Sequence, residues 1–256
     1  MKALILDFDG VIVDSQYECL LVGFNSYLTF NKNTKLFSGK KITFNNFEKI
    51  KIRYNHLVEK YKKLRPYVID AFCWYVMMSI LDKGIKICNQ DEYNNFRAKL
   101  INGSYDSYIR EYYLERSSLQ NENFNKWINL CHPFKKVIGS IKKLEEKFII
   151  AIATNNRKEA IKPLLDNFGI KPVITTDSLV SRDKKIQIGY IKSKLSIGYE
   201  SIYFIDDQVQ HFKKLKSYGI NCYLALWGYN NDAQQNEAKN MDISLLKESD
   251  FYNTFK

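Results

Sequence analysis

The chain has 256 residues, of which 45% are hydrophobic, so it can bury the core of a globular protein. No apolar run reaches the roughly 18 residues of a membrane helix, and the N-terminus enters a strand-like pattern without a signal sequence. We therefore expect neither membrane insertion nor secretion. Five scattered cysteines without a CxxC pair argue against a disulfide framework and a zinc site. The expected compartment is the cytoplasm.

The net charge of +11 indicates anionic partners, since 39 Lys and Arg residues stand against 28 Asp and Glu residues. The lysines occur in short, scattered groups such as Lys40-Lys41 and Lys142-Lys143, and no signature of a nucleic-acid-binding module is present. We expect most of this charge to lie on the solvated surface. Small anions are candidate ligands, whereas nucleic acid is not an expected partner.

Short apolar runs that end in polar residues predict strands buried on both faces. They lie at residues 3–7, 148–154, 172–175, 201–205 and 220–226. Apolar residues at helical spacing predict helices between them, at residues 134–147, 157–169, 184–196 and 209–219. Two of these helices end on a glycine, Gly169 or Gly219, as is typical of a helix C-terminus. The alternation predicts an α/β fold with a doubly wound parallel sheet.

Residues 16–131 have a different pattern, because they show helical periodicity without a convincing core strand. Segments 47–64 and 67–81 carry apolar and aromatic residues at helical spacing, and Pro66 separates them. We interpret the aromatic residues as helix-packing core rather than as a stacking platform for bases; they are Tyr54, Tyr61, Phe72, Trp74 and Tyr75. The expected domains are an α/β core of residues 1–15 and 132–256 and an inserted α-helical cap of residues 16–131.

Polar residues follow the predicted strands, at the edge where open parallel sheets bind ligands. They are Asp7 and Asp9 after the first strand, Thr154, Asn155 and Asn156 after the second, Asp183, Lys184 and Lys185 at a later helix start, and Asp206 and Asp207 after the fourth strand. Four carboxylates, a hydroxyl and one or two lysines should therefore converge. Carboxylates packed so closely are costly unless a cation lies among them, and oxygen ligands suit Mg²⁺.

Four motifs in this order resemble those of the haloacid dehalogenase-like superfamily of phosphohydrolases. DFDGVIVDS, from residue 7, is similar to the first motif, DxDGT/V, and IATNN, from residue 152, is similar to the second, a strand that ends in Thr or Ser. Lys184 or Lys185 resembles the third-motif lysine, and FIDD, from residue 204, resembles the fourth-motif acidic pair. The WGY at residues 227–229 is also typical of these proteins.

The resemblance implies a Rossmann-like core, an inserted cap and a Mg²⁺-dependent phosphatase. Asp7 would be the nucleophile that forms an aspartyl-phosphate, and Asp9 would act as general acid and base. Thr154 and Lys184 would stabilise the transferring phosphoryl group. The remaining implied roles are substrate binding by Asn155, Gly10 and Lys185, and metal binding by Asp7, Asp9, Asp206 and Asp207.

Some residues leave alternatives open. Taken singly, the aspartates and Thr154 could serve as turn or helix caps. Only one of the adjacent Lys184 and Lys185 can point inward, and we favour Lys184, expecting the apolar spacing of Ile188, Ile191 and Leu195 to direct Lys185 toward the sheet. Many family members carry an acid four residues after the fourth-motif aspartate, where this chain, counted from Asp207, has His211.

Two other functions fit the same motifs. A phosphosugar mutase resembles the sequence equally well, and a non-enzymatic protein that binds anions or nucleic acid on the same fold is the other class. The large cap, rich in Tyr and Lys, favours a small phosphorylated metabolite as the substrate. Sugar phosphates, nucleotides and phosphoglycolate all stay open.

Overall fold

The chain forms two compact units in a computed structural model that describes residues 1–101 and 105–256. Residues 1–14 and 132–256 form one, here called the α/β unit, and residues 15–131 form the other, here called the helical unit. The strands of the described residues belong to the α/β unit: β1 (Lys2–Leu6), β2 (Val13–Asp14), β3 (His132–Pro133), β4 (Phe148–Ala153), β5 (Ile174–Thr176), β6 (Ile202–Asp206), β7 (Asn221–Ala225) and β8 (Ser244–Leu246).

Six of these strands form one parallel sheet in the described part of the chain, in the order β5-β4-β1-β6-β7-β8, while β2 pairs antiparallel with β3. The central strand β1 is buried from Ala3 to Leu6. Chain order reverses beside β1, because β4 and β5 continue on one side and β6 to β8 on the other. In such sheets, ligands bind beyond the carboxyl ends of the strands at this reversal. The predicted α/β class and parallel sheet are confirmed.

The helices divide between the two units. They are α1 (Gln16–Phe30), α2 (Phe47–Arg53), α3 (Asn55–Leu64), α4 (Cys73–Asp82), α5 (Gln90–Leu100), α6 (Tyr105–Glu122) and α7 (Phe124–Ile128) in the helical unit, and α8 (Lys135–Leu144), α9 (Lys158–Phe168), α10 (Lys184–Leu195), α11 (Asp232–Asn240) and α12 (Phe251–Phe255) in the α/β unit. Among the described residues, no helix is both long and apolar enough to span a membrane.

The prediction of a helix at residues 209–219 is wrong. Two short 3₁₀ turns stand there instead, Val209–Phe212 and Lys216–Tyr218. The buried side chains of Val209, Phe212 and Leu215 recur every three residues. This spacing matches the three residues per turn of a 3₁₀ helix, and its first two members also fit an α-helix. The sequence pattern alone therefore did not separate the two.

Helix α1 is the centre of the helical unit and packs against α4 and α6. Gly23 allows a close approach, because a Cβ there would lie 3.0 Å from the Cβ of Trp74. The Trp74 ring stacks between Tyr61, at 6.1 Å between centroids, and Tyr112, at 6.3 Å. The expected 47–64 helix is broken at Tyr54, where the backbone leaves helical geometry between α2 and α3.

A buried ion pair joins α1 to α6. The Arg116 guanidinium donates from Nε to Glu18 Oε1 at 2.7 Å and from Nη2 to Glu18 Oε2 at 2.8 Å, and the indole of Trp127 donates to the same carboxylate at 3.1 Å. Burial disfavours the charge on Arg116, but the adjacent Glu18 outweighs it and holds the pKa of the guanidinium well above its usual value. The pair therefore places a charged guanidinium in the core of this unit.

Glu18→Gln should lower the free energy of unfolding by about 3–5 kcal/mol, because it leaves the buried Arg116 charge uncompensated. Urea unfolding of the full chain followed by circular dichroism measures the loss. Glu59→Gln is the matched control, since Glu59 pairs with Lys62 at 2.8 Å on the exposed face of α3. It should cost less than about 1 kcal/mol. Equal losses in the two variants would contradict the prediction.

Candidate active site

The loop after β1 is a tight turn that places Asp7 at the end of the central strand. The backbone N–H of Asp7 donates to the Ile205 carbonyl at 2.9 Å, which continues the pairing of β1 with β6. Gly10 has a φ of 81°, and a Cβ added there would lie 2.1 Å from Oδ2 of Asp207. Only glycine fits this position, both because of its left-handed backbone and because the Asp207 carboxylate occupies the space.

Lys184, at the start of α10, is the buried cation of the site. Its Nζ lies 3.1 Å from Asp7 Oδ2 and 3.5 Å from Asp206 Oδ2, and it donates to the Ala153 carbonyl at 2.5 Å. Lys185 is exposed, and its Nζ lies over the Tyr218 ring at 4.7 Å from the centroid. The inward lysine is therefore Lys184. The expectation that apolar spacing would direct Lys185 toward the sheet is wrong.

Asp206 is fully buried and engaged by several donors. Its Oδ1 accepts from the Gln208 backbone N–H at 2.8 Å. The Nδ1 atom of His211 lies 2.9 Å from Oδ1 and 2.8 Å from Oδ2. These contacts satisfy the carboxylate oxygens, and the ammonium of Lys184 supplies the positive charge that a buried carboxylate needs.

The two central carboxyl groups differ in pKa. Burial raises the pKa of Asp7 to about 6; Lys184 opposes this rise, and the neighbouring Asp206 charge adds to it. Burial also disfavours the charge of Asp206, but His211 and Lys184 outweigh burial and lower its pKa below the usual value. Without a bound metal, Asp206 is therefore the more firmly ionised of the pair.

The loop after β4 lies beside this pair. Thr154 is buried; its N–H donates to the Thr176 carbonyl at 3.1 Å, and its Oγ1 accepts from the Asn156 N–H at 3.1 Å. The amide of Asn156 donates to Asp9 Oδ2 at 3.1 Å. Gln187, buried on α10, donates to the Thr154 carbonyl at 2.8 Å and to Asn155 Oδ1 at 3.3 Å. Amide side chains thus fix the positions of the second-motif residues.

Asp207 points to a different neighbour from Asp206. Its Oδ2 accepts from the backbone N–H of Tyr229 at 2.6 Å, next to Gly10. The WGY segment also contacts the loop after β1, because the Trp227 indole donates to the Val11 carbonyl at 3.1 Å and the Tyr229 hydroxyl donates to Asp14 at 2.7 Å. Asp207 therefore connects the first-motif loop to the segment after β7.

The donor set at the centre of the site fits a small divalent cation. In the described part of the chain, the ligand atoms of Asp7, Asp206 and His211 lie within 4.8 Å of one another. Mg²⁺ is bound in proteins by one or two carboxylates completed by water and phosphate oxygens, and Asp7 and Asp206 supply such a pair. Asp9 and Asp207 lie outside this group, and their predicted metal-binding role stays a prediction.

Three contributors were missed or undervalued in the sequence. Gln187 lies one turn after Lys184 on α10, and this spacing was its only signal. Asn156 was expected at the strand ends, but nothing in the sequence relates it to Asp9. His211 stood out only as the residue at a position where an acid is usual, and the structure brings it to Asp206.

A sequence profile of the haloacid dehalogenase-like hydrolases matches residues 1–219. The chain belongs to this family. The four motifs that suggested the resemblance lie within the matched range, so the resemblance inferred from the sequence is confirmed. No curated protein matches the chain significantly.

Solved structures of haloacid dehalogenase-like proteins share the fold over nearly the whole chain. A family member from Streptococcus pneumoniae is 13% identical, with a TM-score of 0.63, and the match covers 100% of this chain and 99% of that one. A predicted phosphoglycolate phosphatase from Haemophilus somnus is 16% identical, with a TM-score of 0.65 and coverage of 100% and 98%. A candidate β-phosphoglucomutase from Thermotoga maritima is 17% identical, with a TM-score of 0.55 and coverage of 99% of both chains.

Asp7→Asn should stabilise the metal-free protein at pH 7.5, because ionised Asp7 is buried beside Asp206. A native pKa of about 6 lies above the ordinary value of 3.8, so ionisation of Asp7 removes stability as the pH rises from about 4 through 6. The gain should be on the order of 2–3 kcal/mol above pH 7 and should shrink as the pH falls toward 4.

Urea unfolding at several pH values measures this gain. The exposed Asp166, which pairs with Lys162, offers a matched control in Asp166→Asn, for which no such pH trend is expected. A parent protein more stable than Asp7→Asn at pH 7.5 would show that the ionised carboxylate is favourable where it lies.

Proposed function

We propose that the protein is a Mg²⁺-dependent phosphatase that hydrolyses a small phosphorylated metabolite through an aspartyl-phosphate. The observation that carries the proposal is the buried cluster of Asp7, Lys184 and Asp206 at the chain-order reversal of the sheet. Two carboxylates and one ammonium at this edge suit a site that binds a cation and a phosphate together. The names of the phosphatases that share the fold support the same reaction class.

In the first step, an Asp7 carboxylate oxygen attacks phosphorus, and the bond from phosphorus to the ester oxygen breaks. Asp9 gives its proton to the departing oxygen. In the second step, water attacks the phosphoryl group, Asp9 takes the proton of this water, and the bond from phosphorus to Asp7 breaks to release phosphate. The contact of Asp9 with Asn156 supports this role, since it holds the carboxyl at the edge of the loop.

The other residues stabilise the phosphoryl group. The Thr154 oxygen accepts from the backbone, so its O–H can donate to a phosphoryl oxygen. Lys184 neutralises negative charge beside Asp7, and Asn155 and Gly10 are proposed to contact the substrate. We propose that Asp7 and Asp206 hold Mg²⁺, with Asp9 and Asp207 contributing. When bound, the ion neutralises charge on the phosphoryl oxygens and orients them.

We further propose that the helical unit is the cap domain that selects the substrate. Its aromatic and lysine-rich composition suits a small phosphorylated metabolite. The cytoplasm stays the predicted compartment. A phosphosugar mutase would use the same nucleophile, and the likeness to the candidate β-phosphoglucomutase keeps that reaction as the second possibility. The products distinguish the two reactions, because a mutase isomerises a sugar phosphate without net release of phosphate.

The activity should require a divalent metal. In a panel of phosphoglycolate, hexose phosphates and nucleoside monophosphates, phosphate release from the substrates should need Mg²⁺, stop with EDTA and return when Mg²⁺ is added in excess. Turnover unchanged by EDTA would refute the metal assignment. Chromatography of the sugar phosphates in the same reactions detects isomerisation, which would favour the mutase.

Substitution of the two first-motif aspartates should have different kinetic effects. Asp7→Asn should abolish turnover and the aspartyl-phosphate, because the amide cannot replace the nucleophile. Asp9→Asn should slow both steps by about 10²–10⁴-fold, because it removes the acid and base. With an activated ester whose leaving group needs no proton, Asp9→Asn should give a burst of leaving group followed by slow turnover.

Rapid-mixing kinetics with a chromogenic ester measures this burst. The exposed Asp166→Asn should keep the parent kinetics. A burst in Asp7→Asn and none in Asp9→Asn would reverse the two roles, and equal retention of activity in both variants would mean that the DFD stretch is a structural turn.

A further inference from the structure

His211 contacts two candidate site residues through its two ring nitrogens. The Nδ1 atom lies 2.8 Å from Asp206 Oδ2 and 2.9 Å from Oδ1, and the Nε2 atom lies 3.4 Å from the amide nitrogen of Asn155. The side chain is 11% exposed. The ring therefore joins the end of β6 to the loop after β4.

The partners fix the direction of each contact. An ionised carboxylate can only accept a hydrogen bond, so Nδ1 donates to Asp206. The Asn155 oxygen accepts from Gln187 at 3.3 Å, which leaves the amide N–H groups of Asn155 to face His211. The Nε2 atom is then the acceptor of the Asn155 contact. Asp206, His211, Asn155 and Gln187 form one chain of hydrogen bonds with donors and acceptors in matching order.

We propose that His211 is a positioning residue that tethers the candidate metal ligand Asp206 to the candidate phosphate-binding Asn155. This inference rests on the proposed function and extends it to a residue outside the four motifs. With Nδ1 donating to both Asp206 oxygens, His211 acts behind the carboxylate and is not a metal ligand. Loss of a partner that orients a metal ligand in this way typically lowers metal affinity by about 10–100-fold.

The two contacts can be separated by substitution. In His211→Asn, the amide nitrogen stands at the same number of bonds from Cβ as Nδ1, so it can keep the contact to Asp206 and lose that to Asn155. In His211→Gln, the amide oxygen stands at the same number of bonds from Cβ as Nε2, so it can accept from Asn155, and the contact to Asp206 is the one lost. His211→Phe keeps a ring and removes both nitrogens. His56, exposed on α3, provides the control variant His56→Asn.

Two binding constants report the two contacts without any turnover. Calorimetric titration with Mg²⁺ alone reports Asp206, and titration with inorganic phosphate at saturating Mg²⁺ reports Asn155. His211→Gln and His211→Phe should weaken Mg²⁺ binding by about 10–100-fold, and His211→Asn should leave it within about 3-fold of the parent. His211→Asn and His211→Phe should weaken phosphate binding by about 5-fold. His56→Asn should change neither constant.

Several outcomes would overturn the tether. If both dissociation constants of His211→Phe, for Mg²⁺ and for phosphate, lie within about 2-fold of the parent values, the tether is refuted. It is also refuted if His211→Asn and His211→Gln lose affinity for both ligands equally and in proportion to a lowered Tm. Strong ¹⁴N coupling to bound Mn²⁺ in electron spin echo spectra, lost in His211→Phe, would make His211 a direct ligand. A parent that binds neither Mg²⁺ nor Mn²⁺ would overturn the tether and the proposed function together.

Failure of the proposed function alone has a different signature. If the parent hydrolyses no ester in the panel while the binding constants still separate as expected, the phosphatase assignment fails and the tether stands. If the parent is a phosphatase but the His211 variants do not affect the Mg²⁺ and phosphate constants differently, the tether fails and the phosphatase assignment stands.

Discussion

The buried ammonium of Lys184 is the group on which the rest of the site depends. It lies between Asp7 and Asp206, two carboxylates at the ends of neighbouring central strands. Two negative charges could not both be kept in this buried position without a positive charge between them. The same contact holds three elements to one point, because Asp7 follows β1, Asp206 ends β6 and Lys184 begins α10. Sheet topology and charge neutrality therefore determine the geometry of the site together.

The fold could be predicted from the sequence wherever burial leaves a long, uniform pattern. The runs that became β1, β4, β6 and β7 are apolar because helices or neighbouring segments cover both faces of the sheet. The prediction for residues 209–219 was wrong, since over so short a segment a spacing of three residues fits both an α-helix and a 3₁₀ helix. The strand β8 and helices α11 and α12 were not expected, because elements of three to nine residues give too few repeats for periodicity to stand out.

The site could be predicted only where its residues belong to strand ends or helix starts. Lys184 precedes Ile188 and Ile191 by about one and two turns, so it shares their buried face, and Lys185 does not. This spacing was present in the sequence, but the prediction assigned the apolar face to Lys185 instead of Lys184. His211 and Gln187 could not be related to Asn155, because their contacts join different elements and no local pattern encodes such a distance.

The loop after β1 depends on residues far along the chain. Tyr229 and Trp227 contact Asp14 and Val11 across separations of 215 and 216 residues, and β1 pairs on its two sides with β4 and β6. Contacts of such high sequence separation form late in folding. The helical unit comes from one uninterrupted segment and has its own core, so it can fold during synthesis while β1 is still unpaired. The helical unit can therefore be folded before Asp7, the proposed nucleophile, reaches its place at the end of β1.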